Sequence, residues 1–159
     1  MELRDYQLDA IQKMKTGCIL NGGVGSGKSL TALSYYYIQN KGELSFLTGG
    51  KHSLMDDPPL DLYIITTARK RDTFEWEGEM SHFLLSTHDD INVYGNKVVV
   101  DSWNNIQKYK DISDAFFIFD EQRADRIEIS KNRYTPIRIS VTNIRKNALD
   151  HEFCFAIWV

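Results

Sequence analysis

Cysteines and long apolar runs are scarce in this sequence of 159 residues. Its two cysteines, Cys18 and Cys154, are too few for a disulfide framework and lack the spacing of a metal-ligand set. No apolar run approaches the roughly 18 residues of a membrane span, and the N-terminus is charged, unlike a signal peptide. We therefore expect no membrane partner and a reducing, cytoplasmic setting.

The sequence also lacks a strong charge of either sign. It has 19 Lys and Arg residues against 22 Asp and Glu residues, which gives a formal net charge of −3. This balance provides no overall attraction to nucleic acid, so any basic contact surface must be local. The length favours one domain, and 42% hydrophobic residues are enough for an ordinary packed core.

Short apolar runs alternate with helical patterns along the chain. This alternation predicts an α/β domain of three layers, in which helices cover both faces of a mainly parallel sheet. The predicted helices span residues 4–14, 30–39, 69–85 and 104–109, with a loop over 42–60. The predicted strands span residues 18–20, 62–65, 91–94, 97–100, 115–119, 138–141 and 153–159.

The strongest motif lies between the first predicted strand and the second predicted helix. Gly22-Gly23-Val24-Gly25-Ser26-Gly27-Lys28-Ser29 satisfies G-x-x-x-x-G-K-[ST], the Walker A pattern of P-loop proteins. Glycines let successive N–H groups turn toward phosphate oxygens, and the next helix presents its positive N-terminal end to them. We expect Lys28 to reach the β- and γ-phosphates of ATP and the Ser29 hydroxyl to bind Mg²⁺. The residues predicted to contact the nucleotide here are Gly23, Val24, Gly25, Ser26, Gly27, Lys28 and Ser29.

A P-loop requires an acidic partner at the end of a neighbouring strand. Asp120 and Glu121 follow the apolar run 116–119 and fit this requirement, although a solvated strand end is the alternative interpretation. Asp120 is predicted to hold Mg²⁺ through water, and Glu121 to orient the attacking water or accept its proton. We therefore expect Lys28, Asp120 and Glu121 to be the catalytic residues.

With these two motifs, the chain resembles superfamily-two helicases, particularly the Swi/Snf-like and DEAD/DEAH-like ATPases that phages often encode. The sequence Asp120-Glu121-Gln122-Arg123 stands where that family has its DEAD, DEAH or DEXQ box. The resemblance implies a RecA-like P-loop fold, Mg-ATP as cofactor and a DNA or RNA backbone as partner, with DNA favoured. It also implies residence in the host-cell cytoplasm if the protein is phage-encoded.

Three weaker matches extend the resemblance. Leu3-Arg4-Asp5-Tyr6-Gln7 resembles the Q motif, which implies that Gln7 hydrogen-bonds adenine while Tyr6 or Arg4 packs on the base. Residues 64–70 resemble motif Ia and residues 98–103 lie near motif Ib, both of which touch nucleic acid in the family. The contacts implied there are Thr67, Arg69, Lys70 and Ser102. A solvated helix start is the alternative for 69–71. Trp76 and Trp103 are predicted to be core or interface aromatics, with base-stacking platforms as the alternative.

The resemblance covers residues 1–123, which we expect to form the RecA-like ATP-binding core. Residues 124–159 are atypical and are expected to complete this domain or pack on it, although 140–142 could be a degenerate motif III. The apolar segment 153–159 is predicted to be a last strand or to meet a partner. A complete helicase of this type has two RecA-like domains, so the resemblance implies that full activity requires a second domain or protein partner. A truncation, a frameshift and a diverged ending are the three alternatives for the atypical tail.

Two other functions remain open at this stage. One is a non-catalytic helicase fragment that binds ATP or a protein partner and acts by interaction. The other is a small-molecule kinase, which the same P-loop would serve but for which the sequence offers no arginine-rich lid. Nucleotide turnover with and without nucleic acid distinguishes the three functions.

Overall fold

A computed structural model describes residues 1–15, 18–56, 58–87 and 92–120, together with the backbone of 154–158. Five strands form a parallel sheet with the order β1-β5-β4-β2-β3. The predicted α/β class with a mainly parallel sheet is therefore confirmed. The strands are β1 (Cys18–Asn21), β2 (Asp61–Thr66), β3 (Val98–Ser102), β4 (Ala115–Phe119) and β5 (Cys154–Trp158).

The central strands β2 and β4 are apolar on both faces, as strands covered on both sides must be. Their even-numbered side chains face one hydrophobic core and their odd-numbered side chains face a second. The two strands pair in register, with Leu62 opposite Phe116 and Tyr63 opposite Phe117. The two cores thus lie on opposite faces of the sheet. The polar residues that follow the parallel strands lie together at its carboxyl edge.

The helices form a layer on each side of the sheet. Helix α2 (Lys28–Gln39) is buried from Thr31 to Tyr37 because it contacts α1 (Asp5–Lys13), α5 (Glu75–Met80) and β5. The 3₁₀ helix Trp103–Tyr109 covers the other face through Trp103 and Ile106. The remaining helices are α3 (Leu44–Leu47), α4 (Ala68–Asp72) and the 3₁₀ turn Ser81–Phe83.

The single helix predicted over 69–85 is wrong. The chain instead forms α4, α5 and a 3₁₀ turn, and the break between α4 and α5 lies at Phe74, whose φ is 56°. Phe74 remains 66% exposed, while Trp76 on the other side of the break is buried. On the C-terminal side of the break, Trp76, Met80 and Phe83 are all buried in the core.

The strand predicted over 91–94 is also wrong for the part that the structure describes. Residues 92–94 form a turn in which the Asn92 side chain donates to the carbonyl of Asn96 at 2.8 Å and accepts from the Tyr94 N–H at 3.2 Å. Such local side-chain bonds compete with strand pairing. The neighbouring prediction, residues 97–100, corresponds to β3.

The other predicted elements have mixed outcomes. The helices over 4–14, 30–39 and 104–109 and the strand over 153–159 are confirmed with shifted ends. The predicted loop 42–60 contains α3. The predicted strand 138–141 and the motif III candidate 140–142 lie outside the described residues. No helix within the described ranges is long and apolar enough to cross a membrane.

Candidate functional site

The glycine-rich loop connects β1 to the N-terminus of α2. Gly25 and Gly27 have φ values of 76° and 73°, a left-handed conformation that glycine adopts without strain. The N–H of Thr31 donates to the carbonyl of Gly27 at 2.9 Å, which starts the helical ladder. The N–H groups of the preceding helical turn have no intrahelical acceptor and so can bind an anion. Val24, at the crest of the loop, is 95% exposed.

The Lys28 side chain curls across this loop. Its Nζ donates to the carbonyl oxygens of Gly22 and Gly23, both at 2.8 Å. The ammonium therefore lies against the backbone of the loop itself. Close packing also explains Gly22, because a Cβ there would lie 2.7 Å from the Ser26 hydroxyl oxygen. That hydroxyl is buried and has no hydrogen-bond partner among the described residues.

Helix α1 supports the loop through two side chains of the predicted Q motif. Gln7 is 5% exposed, and its Nε2 donates to the carbonyl of Gly27 at 3.3 Å and to the hydroxyl of Thr31 at 3.2 Å. Its Oε1 accepts from the backbone N–H of Arg4 at 3.0 Å. The half-exposed Tyr6 donates its hydroxyl to the carbonyl of Ser26 at 3.1 Å. The structure thus places Gln7 and Tyr6 against the loop, and their contact with adenine stays a prediction.

Replacing Gln7 by Ala is expected to destabilise the fold by about 1–3 kcal/mol, because buried partners of its amide lose their hydrogen bonds. Urea unfolding measures this change. Gln12→Ala is the matched control, since Gln12 lies on the same helix and is exposed. The variant should also discriminate less between ATP and GTP than the unmodified chain. Equal stability of the two variants would contradict the supporting role of Gln7.

Asp120 immediately follows β4 and is almost completely buried. Its N–H donates to the carbonyl of Ile65 at 2.8 Å, which extends the pairing of β4 with β2. Its Oδ2 accepts hydrogen bonds from the Thr66 hydroxyl at 2.9 Å, from Lys70 Nζ at 3.1 Å and from Trp76 Nε1 at 3.1 Å. None of the described hydrogen bonds uses Oδ1. The carboxylate is therefore held in one orientation by three donors on one oxygen.

The sheet order separates this carboxylate from the loop by one strand. Strand β5 lies between β1 and β4, so the two strand ends are about 10 Å apart laterally. An open cleft of about 280 Å³ is lined by Ser29 together with Lys70, which contacts Asp120. The other lining residues are Glu75, Trp76 and Glu79. Of the two predicted metal ligands, Ser29 lines the cleft directly, whereas the buried Asp120 lies behind Lys70 and Trp76, two lining residues that donate to its carboxylate.

The donor set in this space fits Mg²⁺ held jointly with a phosphate. No cluster of three or more His, Cys, Asp or Glu side chains that could hold a metal occurs in the described ranges. One hydroxyl and one carboxylate, however, are the contribution that Mg²⁺ takes from a protein when phosphate oxygens and water complete its octahedron. The glycine conformations and Lys28 likewise fit a triphosphate.

The basic cluster Arg69, Lys70 and Arg71 has three different environments. Arg69 is exposed, whereas the Lys70 ammonium pairs with Asp120. Arg71 pairs with Asp101 at 3.2 Å and with the adjacent Asp72 at 2.8 Å. Two of the three cations are therefore engaged by carboxylates at the sheet edge.

Asp101, at the end of β3, is the centre of a second polar network. It accepts hydrogen bonds from the Tyr109 hydroxyl at 2.5 Å, from Asn105 Nδ2 at 2.7 Å and from the Ser102 N–H at 2.7 Å. Burial opposes ionisation, but these bonds and Arg71 together hold the pKa of the Asp101 carboxyl below its ordinary value. The network joins the end of β3 to the 3₁₀ helix Trp103–Tyr109 and, through Arg71, to α4.

The remaining predicted residues are distributed as follows. Thr67 is the N-cap of α4 and accepts the N–H of Lys70 at 3.3 Å, while Ser102 is 1% exposed and contacts Arg71. The nucleic-acid roles of Thr67, Arg69, Lys70 and Ser102 stay predictions. Glu121, Gln122 and Arg123 lie outside the described residues. Trp76 and Trp103 are buried, so the prediction that they are core aromatics is confirmed.

Sequence reasoning missed Thr66, Trp76 and Asp101 as parts of the site. Thr66 and Trp76 orient the Asp120 carboxylate, and Trp103 Nε1 donates to the Asp120 carbonyl at 2.8 Å. A threonine at the end of a buried strand was the available signal for Thr66. The two indole contacts have no sequence signal, because they join positions distant in the chain.

Comparison with known proteins gives one kind of match. No protein-family model matches the chain, and no curated protein matches its sequence. The solved structure of the UvsW helicase from bacteriophage T4 matches 98% of this chain with a TM-score of 0.56. The two chains share a fold. Their sequence identity is 18%, and this chain spans 51% of the length of the UvsW chain. The expected helicase-like fold is therefore confirmed at the level of architecture.

Proposed function

We propose that this chain is the ATP-binding domain of a nucleic-acid-dependent ATPase of the helicase type. The observation that carries the proposal is the placement of two groups at one sheet edge. The loop with Lys28 lies at the N-terminus of α2, and Asp120 lies one strand away, where it accepts hydrogen bonds from Lys70 and Trp76 of the cleft that Ser29 also lines. This is the arrangement that a triphosphate and its metal require.

Each residue of the proposed site has a distinct part in binding Mg-ATP. The loop N–H groups and the N-terminus of α2 bind phosphate oxygens, and Lys28 exchanges the carbonyls of Gly22 and Gly23 for the β- and γ-phosphates. Ser29 and Asp120 hold Mg²⁺, Asp120 through water. When bound there, the metal would supply positive charge against the charge that develops on the transferring phosphoryl group. Glu121 follows Asp120 directly and accepts a proton from the attacking water.

Nucleic acid binds, on this proposal, along the edge formed by the ends of β2 and β3. Arg69 is exposed there beside Thr67, and Ser102 ends the neighbouring strand in register with Thr66. The expected partner is a DNA or RNA backbone, with DNA favoured. The similar UvsW chain is a helicase, and this chain covers 51% of its length. Unwinding is therefore proposed only for an assembly with a second RecA-like domain or a protein partner.

A non-catalytic ATP-binding or regulatory role is the second candidate. The observation that favours it is the engagement of both key charges within the protein: Lys28 binds loop carbonyls and Asp120 binds Lys70. In a protein that never turns ATP over, these contacts would persist in the bound state. A small-molecule kinase is a third and weaker candidate.

The test is a phosphate-release assay on the purified chain with Mg-ATP, alone and with single-stranded DNA, double-stranded DNA or RNA. The proposal predicts that phosphate release rises when nucleic acid is added. Calorimetric binding of ATP without any release supports the non-catalytic candidate. Transfer of the γ-phosphate to a small acceptor supports the kinase. Absence of ATP binding contradicts all three.

A further inference from the structure

We propose that Lys70 is a built-in counter-ion of Asp120 which Mg²⁺ has to displace, so that the Lys70–Asp120 ion pair sets the metal dependence of nucleotide binding. The inference rests on the proposed function. It adds to the proposed site Lys70, a residue that binds neither the phosphates nor the metal. Lys70 acts through Asp120 and is a positioning residue rather than a catalytic one.

The first step of the argument is the geometry of the pair. Lys70 Nζ lies 3.1 Å from Asp120 Oδ2, and the side chains are 21% and 2% exposed. The carboxylate is thus taken out of water, whereas the lysine enters from the rim of the cleft that Ser29 lines. The ammonium therefore has a route out of the pair, and the carboxylate does not.

The second step is electrostatic. A fixed positive charge beside a buried carboxylate reduces its attraction for a divalent cation, and the interaction is strong where water is largely excluded. Asp120 does not depend on Lys70 for its orientation, because Thr66 and Trp76 donate to the same oxygen. Removing the lysine charge should thus strengthen metal binding rather than disorder the ligand.

The third step concerns where the ammonium goes when it leaves. Glu75 and Glu79 line the same cleft as Lys70. Glu75 accepts a hydrogen bond from Thr73 and is exposed. These two carboxylates offer the released ammonium a solvated partner within the cleft. The displaced state therefore carries no unpaired buried charge, which makes the exchange feasible at low cost.

The test measures metal affinity rather than turnover. Mn²⁺, followed by electron paramagnetic resonance in the presence of ATP, reports metal binding to the unmodified chain and to Lys70→Met and Lys70→Gln. Both variants are expected to bind Mn²⁺ at least about fivefold more tightly, within the usual range of coupling between two sites. Lys70→Gln retains a hydrogen-bond donor for Asp120 and serves where Lys70→Met fails to fold.

Arg69→Met is the matched control, because Arg69 precedes Lys70 on α4, is exposed and carries the same charge. Its Mn²⁺ affinity should remain within about twofold of the unmodified chain, since exposed charges at a distance are screened. Unchanged or weaker metal binding in a folded Lys70→Gln protein would overturn the inference. The same result in Arg69→Met as in Lys70→Gln would also overturn it, because the effect would then be one of net charge.

A second measurement requires no variant. Lysines are acetylated with acetic anhydride, and the products are measured by mass spectrometry. Acetylation of Lys70 should rise when Mg-ATP is added, because the ammonium then leaves Asp120 for the more exposed Glu75 or Glu79, where an ion pair protects it less. ATP with a chelator should leave Lys70 labelling unchanged, and Lys28 labelling should fall in both cases. Labelling of Lys70 that ignores Mg²⁺ while Lys28 is protected overturns this inference alone. Failure of ATP to protect Lys28 overturns the proposed function and the inference with it.

Discussion

Replacing Lys28 by Ala is expected to abolish ATP binding or to weaken it by at least about tenfold, because a charge-assisted phosphate contact is lost. The fold should survive, since the Lys28 ammonium bonds to carbonyls of a largely exposed loop. Isothermal calorimetry with ATP measures the affinity, and circular dichroism verifies that the variant is folded.

Lys13→Ala provides the control for this experiment. Lys13 lies at the end of α1, is exposed and pairs with Asp9 at 2.6 Å. Its removal changes the net charge by the same amount but touches neither the loop nor the cleft. ATP affinity should therefore match that of the unmodified chain. A folded Lys28→Ala protein with unchanged affinity would show that the glycine-rich loop does not bind phosphate.

The parts of the fold that could be predicted are those written in consecutive residues. The loop between β1 and α2 follows from the motif at 22–29, since glycine spacing and the following helix are local properties. Strand β4 and the position of Asp120 follow from an apolar run that ends in carboxylates. The parallel sheet follows from the alternation of such runs with helical patterns.

The helix predicted over 69–85 failed because tertiary contacts override helical periodicity. Trp76 donates to Asp120, which lies 44 positions further along the chain. The left-handed Phe74 redirects the chain so that this contact forms. Hydrophobic periodicity depends only on the spacing of nearby residues and carries no information about a partner 44 positions away. Neither the break nor its position therefore follows from the pattern.

The pairing of charges was hidden for the same reason. Arg69, Lys70 and Arg71 read as one basic patch in the sequence, yet they divide between solvent, Asp120 and Asp101. Lys70 and Asp120 are separated by 50 positions and meet because β2 and β4 are neighbours in the sheet. Only the strand order reveals that a candidate nucleic-acid contact and a candidate metal ligand share an ion pair.

The purified chain is expected to bind Mg-ATP but not to unwind duplex DNA. Its ATP turnover rate should lie far below roughly 1 per second, the lower end of typical enzyme turnover rates. An arginine that stabilises transition-state charge is worth roughly 10³–10⁵ in rate in comparable phosphoryl transfers. The arginines within the described ranges are Arg4, Arg69 and Arg71, and Arg71 is tied to Asp101 and Asp72. None of these three lines the cleft beside Ser29.

On the proposed function, the arginine therefore comes from outside the described ranges or from a second RecA-like domain. Phosphate release by the chain, with and without DNA or RNA, measures the outcome. Glu121→Gln is the control, because it removes the proposed base and assigns any residual hydrolysis to this site. Unwinding requires two nucleic-acid-binding sites that move relative to each other. Nucleic-acid binding to the one edge described should be weak and strongly salt-dependent. A turnover of several per second that Glu121→Gln eliminates would show instead that the chain supplies a complete catalytic site by itself.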